Sequence, residues 1–183
     1  MVKKILPLLM LCLLSSCTIT GFTDDYKKLY PEQQRSIVPL ESFAHSDPQH
    51  IYKINGVQLR EELKKHPKSM VYIFTNGCPS KYCLPMSSYE KYARENGYRL
   101  FLVMSGYGNL KETTKQRSEV FTAPLYAMDS DYYGSKIRMT YNKHFENDLL
   151  GQPHKTKNEW QGNLYFFERD QWVKTTLELP VLP

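Results

Sequence analysis

Met70-Val-Tyr-Ile-Phe-Thr-Asn-Gly-Cys78-Pro-Ser-Lys-Tyr-Cys83-Leu-Pro-Met86 is the stretch on which the reading of the whole chain turns. Ser69 to Thr75 is an almost continuous apolar run of β-branched and aromatic residues. Such a run is expected of a strand buried on both faces of a parallel sheet. Asn76-Gly77 is a turn signal. Cys78 follows at once, and Cys83 comes five positions later. Ser87 to Asn96 reads as helix, with Ser87 and Glu90 in a capping-box pattern and Asn96-Gly97 as the stop. Strand, turn, cysteine and helix in that order place a thiol at a helix N-terminus. There the dipole and free N–H groups stabilise a thiolate.

The spacing of the cysteines constrains the helix start. Five residues along a regular helix rise about 7.5 Å, whereas a disulfide needs Cα atoms roughly 4.4–6.8 Å apart. The pair therefore cannot bond from within one regular helix. Pro85 and the capping pattern at Ser87 favour a late start, leaving Cys78 to Cys83 as a disulfide-linked turn in the oxidised state.

Outward from this stretch, strands alternate with helices. His50 to Ile54 is a short strand ended by the Asn55-Gly56 turn. Val57 to His66 is helical, with Glu61 and Lys65 as an i,i+4 pair. Arg99 to Met104 and Leu125 to Met128 are further strands, separated by a helix over Leu110 to Ser118. Tyr133 to Phe145 reads as helix and Glu146 to Gln161 as a long polar loop. Asn163 to Phe167 and Trp172 to Leu179 close a hairpin around Glu168 to Gln171. Before all this, Thr18 to His50 reads as tether and lead-in. It has a short helix within Asp24 to Arg35, interrupted by Pro31, and a loop over Ser42 to Gln49. The alternation predicts an α/β sandwich, a central mixed and largely parallel β-sheet flanked by helices, with a terminal β-hairpin.

The chain has 183 residues, enough for one domain with a modest extension. Its 41% hydrophobic and 23% charged residues are ordinary for a globular protein, and the 13% aromatic share, with 14 Tyr, is high. The formal charge of +5 falls to +3 once Lys3 and Lys4 are set aside. No basic stripe gathers the lysines, which argues against nucleic acid as a partner.

Lys3 and Lys4 belong to a leader. A short basic start precedes the apolar run Ile5 to Leu14, which is too short to span a bilayer and is organised like a secretory signal. It ends in Leu14-Ser15-Ser16-Cys17, which resembles the bacterial lipobox. That resemblance implies residues 1–16 as a signal peptide, with Cys17 acylated after cleavage. Several acyl chains hold a protein stably at a membrane where one does not. The mature chain is then expected in the cell envelope, on the periplasmic or extracellular side, where disulfides persist. Cys12 leaves with the leader and Cys17 is blocked by lipid, so Cys78 and Cys83 are left to each other. An ordinary signal peptide cut near Ser15, leaving Cys17 free, is the alternative.

From His50 onward the chain resembles the thioredoxin-like superfamily, in its extracytoplasmic TlpA-like branch. The strand Val71 to Phe74 leads into Cys78-Pro79, the second cysteine follows, and Pro85 sits where these helices often kink. Leu125 to Met128, the next helix and the closing hairpin match the branch's extra β-α unit and terminal strands. The resemblance implies a thioredoxin-like three-layer sandwich over residues 50–183, with residues 17–49 as tether. It implies thiol–disulfide exchange with a protein disulfide or dithiol and no cofactor. Cys78 would be the attacking thiol, aided by the positive charge of Lys81, and Cys83 the resolving one. The pattern departs in three places. Four residues rather than two separate the cysteines. Gly77 stands where a tryptophan is common. Trp160-Gln161-Gly162 occupies the place of the family's cis-proline, and Pro124 precedes a different strand.

Other readings stay open. A disulfide that only stabilises a surface turn would suit a non-catalytic lipoprotein that binds a partner, with Trp160 and Trp172 at the interface. A peroxiredoxin-like peroxidase is favoured by Thr75, three residues before Cys78, with Arg138 as a candidate arginine. Val71 stands where that family has proline. Two thiolates with His144 or His154 would suit Cu(I). Zinc lacks a second close ligand pair, and no metal site is assigned. No Ser/His/Asp triad or phosphate-binding glycine pattern is present, and Gly106 and Gly108 read as turn glycines.

Overall fold

The computed structural model describes residues 21–180. The leader and Cys17 lie outside them. Along the chain come α1 (Pro31–Arg35), β1 (Ile37–Pro39), β2 (Ile51–Ile54), α2 (Gly56–Leu63), β3 (Lys68–Phe74), α3 (Met86–Glu95), β4 (Arg99–Met104), α4 (Leu110–Thr114), β5 (Leu125–Met128), α5 (Arg138–Leu149), β6 (Leu164–Glu168) and β7 (Gln171–Thr176). The seven strands form one mixed sheet in the order β1-β2-β5-β4-β3-β6-β7. Pairing is parallel from β1 through β3, and antiparallel for β3–β6 and β6–β7. The expected α/β architecture with its terminal hairpin is present. Among the described residues no helix is long and apolar enough to cross a membrane.

β3 shows why the sheet is covered on both sides. Met70, Tyr72 and Phe74 point to one face, where they pack with Met86, Tyr89 and Ala93 of α3 and Leu110 of α4. Val71 and Ile73 point to the other, where Leu59 and Leu63 of α2 and Tyr141, Phe145 and Leu149 of α5 cover them. The helix residues recur at three- and four-residue spacing, one apolar stripe per helix. The strand residues alternate with period two, which sends each set to its own core.

The lead-in is part of this fold. Ile37–Pro39 adds a parallel strand to the sheet edge, and Ile37 and Phe43 are buried in the two cores. Nearer the start, Asp24 is buried, and its carboxylate accepts from Ser130 Oγ at 2.5 Å and Lys136 Nζ at 2.9 Å. Its backbone N–H donates to Lys136 O, and its carbonyl accepts from Tyr107 N. The Arg138 N–H donates to Phe22 O. Residues 22–25 are thus strapped across the start of α5 and the β4–α4 loop.

Several local expectations are corrected. The helix expected from Tyr133 starts at Arg138, because the preceding residues form a turn in which Asp131 holds Lys136 at 2.6 Å. α3 starts at Met86 with no side-chain cap. Glu90 does not close a capping box with Ser87; it accepts from Thr122 N at 3.0 Å and Thr122 Oγ1 at 3.2 Å. Asn55 is the N-cap of α2, in a reciprocal box with Gln58, rather than only a turn residue. On α2 and the turn that follows it, the pairs formed are Lys64–Glu61 and Lys65–Glu62, not Glu61–Lys65.

Candidate functional site

The parallel strands β3 and β4 end side by side, and the residues just beyond them build the site. Asn76 is buried at the end of β3. Its Nδ2 donates to Gly106 O at 2.8 Å and its Oδ1 accepts from Thr113 Oγ1 at 2.6 Å. The turn after β3 is thereby fastened to the β4–α4 loop and to α4. Gly77, at φ +64°, reverses the chain in a conformation that disfavours any Cβ.

Cys78 and Cys83 follow in an irregular loop, joined by a disulfide with Cα atoms 6.1 Å apart. The late start of α3 makes this possible, as the spacing required. It also corrects one expectation: the N-terminus of α3 is at Met86, beyond both cysteines, so Cys78 does not sit on the helix dipole. Tyr89 holds the loop instead. Its buried ring stacks on Tyr72 at 4.1 Å. Its hydroxyl donates to Tyr82 O at 3.3 Å and accepts from Leu84 N at 3.2 Å. Lys81, expected to lend charge to Cys78, lies over the Tyr82 ring at 5.1 Å.

The positive group in the site is Arg138, the first residue of α5. Its guanidinium donates to Thr75 Oγ1 and to Ser105 Oγ. Ser105 is itself fixed, its carbonyl accepting from Tyr141 Oη at 2.6 Å. Among the described residues, no carboxylate forms an ion pair with Arg138. A guanidinium beside a disulfide, satisfied by hydroxyls rather than by an anion, leaves its charge available to a thiolate.

These groups line a cavity of about 240 Å³ that contains both cysteines. Its far wall is Trp160, Gly162 and Asn163, the segment that stands in place of the cis-proline loop, together with Asn142 and Glu146 of α5. The Oδ1 atoms of Asn142 and Asn163 are buried without a hydrogen-bond partner among the described residues. Burial pushes the Glu146 carboxyl above the usual glutamate range, against a hydrogen bond from Tyr165 that lowers it. Burial first, and then the neighbouring Glu146, pushes the Tyr165 phenol up.

The histidines lie elsewhere. His144 and His154 stack on each other at 4.3 Å, and His154 Nε2 contacts Asp148 Oδ1 at 2.7 Å. Neither lines the disulfide cavity. Among the described residues no group of three or more His, Cys, Asp or Glu is placed to hold a metal ion. The ligand set considered for Cu(I) is not assembled.

Comparison with protein-family models, curated proteins and solved structures finds no match. The fold and the site therefore carry the functional reading. Sequence reasoning found Cys78, Cys83 and Thr75, and named Arg138 as a candidate. It missed Ser105, Asn76, Asn142 and Glu146. Their only sequence signal is polarity just beyond the C-terminal ends of apolar strands, or within a helix that follows one.

Proposed function

We propose that this chain is an extracytoplasmic, thioredoxin-like thiol–disulfide oxidoreductase, lipid-anchored through Cys17, with Cys78 and Cys83 as its redox pair. The observation that carries this reading is the setting of the disulfide. It lines an open cavity beside an arginine that has no carboxylate partner among the described residues, rather than a plain surface turn. Its place also supports a thioredoxin-like fold: the loop follows a central strand flanked by a parallel neighbour, β4, and an antiparallel one, β6.

In reduction, the Cys78 thiolate attacks one sulfur of a substrate disulfide. A mixed disulfide forms and the substrate's other sulfur leaves as a thiolate that takes a proton. The Cys83 thiolate then attacks Cys78 Sγ, closing the Cys78–Cys83 bond and releasing the second substrate thiol. Two electrons pass from the pair to the substrate; oxidation of a substrate dithiol is the reverse. Arg138 stabilises the attacking thiolate. The test is the reduction potential of the pair, with insulin-disulfide reduction and Cys78→Ser as control. A potential well below about −300 mV with no turnover would mark a structural disulfide.

A second reading is favoured by one contact, that of Arg138 with Thr75, three residues before Cys78. Hydroxyl, cysteine and arginine in one cavity would suit a peroxidase. The Cys78 thiolate would attack a peroxide oxygen, giving a sulfenic acid and one molecule of water or alcohol. Cys83 would condense with it, releasing water and leaving the disulfide. Rapid trapping of a sulfenic acid by dimedone in Cys83→Ser after one equivalent of hydrogen peroxide would select this reading. A rate like that of free cysteine would reject it.

A further inference from the structure

A second cleft of about 310 Å³ opens next to the disulfide cavity, and Glu146, Trp160 and Tyr165 line both. Tyr165 of β6 forms part of its lining, the end of α5 contributes Leu150, and the segment Lys157–Gln161 faces Trp172 and Thr175 of β7. The two indoles are unusually open for such large apolar groups, Trp160 at 71% and Trp172 at 44% of full exposure. Trp172 is nevertheless oriented, its Nε1 donating to Thr175 Oγ1 at 3.0 Å. Lys157 and Glu159 put opposite charges in the same lining, and burial holds the other carboxyl there, Glu146, toward its neutral form, so the cleft favours no ionic ligand.

The sheet sets the length of this groove. Asn163 lines the disulfide cavity, and Trp172 is registered opposite Phe167, four residues further along β6. Four residues of strand span about 13 Å. A small disulfide reacting at Cys78 would fill only the first cavity. An extended peptide would run on into the second, and its fourth residue from the cysteine would reach Trp172. We propose that the substrate of this site is an extended polypeptide that carries a large apolar side chain about four residues from its reactive cysteine. Trp160 and Trp172 hold that side chain. Aromatic groups that become buried only on binding, as these would, dominate recognition where the rest of a contact is neutral. The inference rests on the thiol–disulfide reading and names its substrate class.

Two measurements test it. In the first, disulfide-linked peptides with Phe or Ser four residues from the cysteine, and hydroxyethyl disulfide, are offered to the reduced full chain. The expected result is a KM lower by about tenfold for the Phe peptide. That preference is lost in Trp172→Ala, which lies outside the disulfide cavity, while hydroxyethyl disulfide turns over unchanged. In the second, the same peptides with Ser in place of Cys are titrated against the tryptophan fluorescence, which comes from only two tryptophans. A shift with the Phe peptide and none with the Ser peptide is expected, whether or not the pair turns over. A shift without turnover would thus keep the groove and remove the redox reading. Equal KM values together with no peptide-dependent shift would overturn the inference. So would a fluorescence change that appears only with rising protein concentration or on phosphatidylcholine vesicles, which would mark a second copy or a membrane as the occupant.

Discussion

Arg138 and Thr75, 63 residues apart in the chain, meet at the rim of the disulfide cavity, the guanidinium donating to the threonine hydroxyl. The contact brings the start of α5 to the end of β3, and it places the site's positive charge where neither cysteine supplies one. An opposite charge close by favours the ionised thiol. Arg138→Gln is therefore expected to raise the pKa of Cys78 by about one unit. Iodoacetamide alkylation of Cys78 across pH, in a Cys83→Ser background, reads this directly. An unchanged alkylation profile would show that the guanidinium does not act on the thiol.

The disulfide closes a short loop, with only four residues between its cysteines. The chain-entropy estimate for so small a ring is about 2 kcal/mol. Oxidised wild type and Cys83→Ser, compared by urea denaturation, should differ by about that amount with similar m-values. A far larger gap would mean that the loop also carries packing that the free thiols cannot hold.

Asn76 satisfies two elements at once and is almost fully buried. Asn76→Ala strands the Gly106 carbonyl and the Thr113 hydroxyl, at a cost of about 2–3 kcal/mol. Thr113→Val removes one of the same bonds, so the double variant should cost less than the two singles combined. Additive losses in equilibrium denaturation would contradict a shared network.

Glu146 gives the fold a pH dependence of known sign. Burial raises its carboxyl above the unfolded value, so the native chain holds this proton to higher pH than the unfolded chain does. Its contribution is complete below the ordinary glutamate range and is lost as pH rises through the raised value. Glu146→Gln should flatten this part of the stability profile, so that the variant gains on wild type as pH rises above the ordinary glutamate range. Parallel profiles for the two proteins would show that the carboxyl stays hydrated.

The parts of the fold legible in the sequence are those decided locally. β3 announces itself as an apolar run, the cysteine spacing forbids a continuous helix, and Pro85 falls next to the observed start of α3. Legibility ends where distant segments decide. Ile37–Pro39 is too short a run to read as a strand until β2 lies beside it. The start of α5 is set by the Asp131–Lys136 turn and the strap from Phe22, not by helix propensity. Glu90 prefers Thr122, 32 residues on, to a nearby cap. The same limit holds in the site. Thr75 could be noticed beside Cys78, whereas its partner Arg138 required the parallel ends of β3 and β4 to be in place.

The strap at residues 22–25 has a consequence for geography. It is bonded to Tyr107 and to the first residue of α5, on the side of the molecule that holds the disulfide cavity. Cys17 lies four residues before Gly21, and four residues of chain reach at most about 14 Å. With the proposed anchor at Cys17, the protein has no long leash. The redox pair would work within a few nanometres of the lipid headgroups, where it could meet only substrates that are themselves at the membrane or threaded close to it.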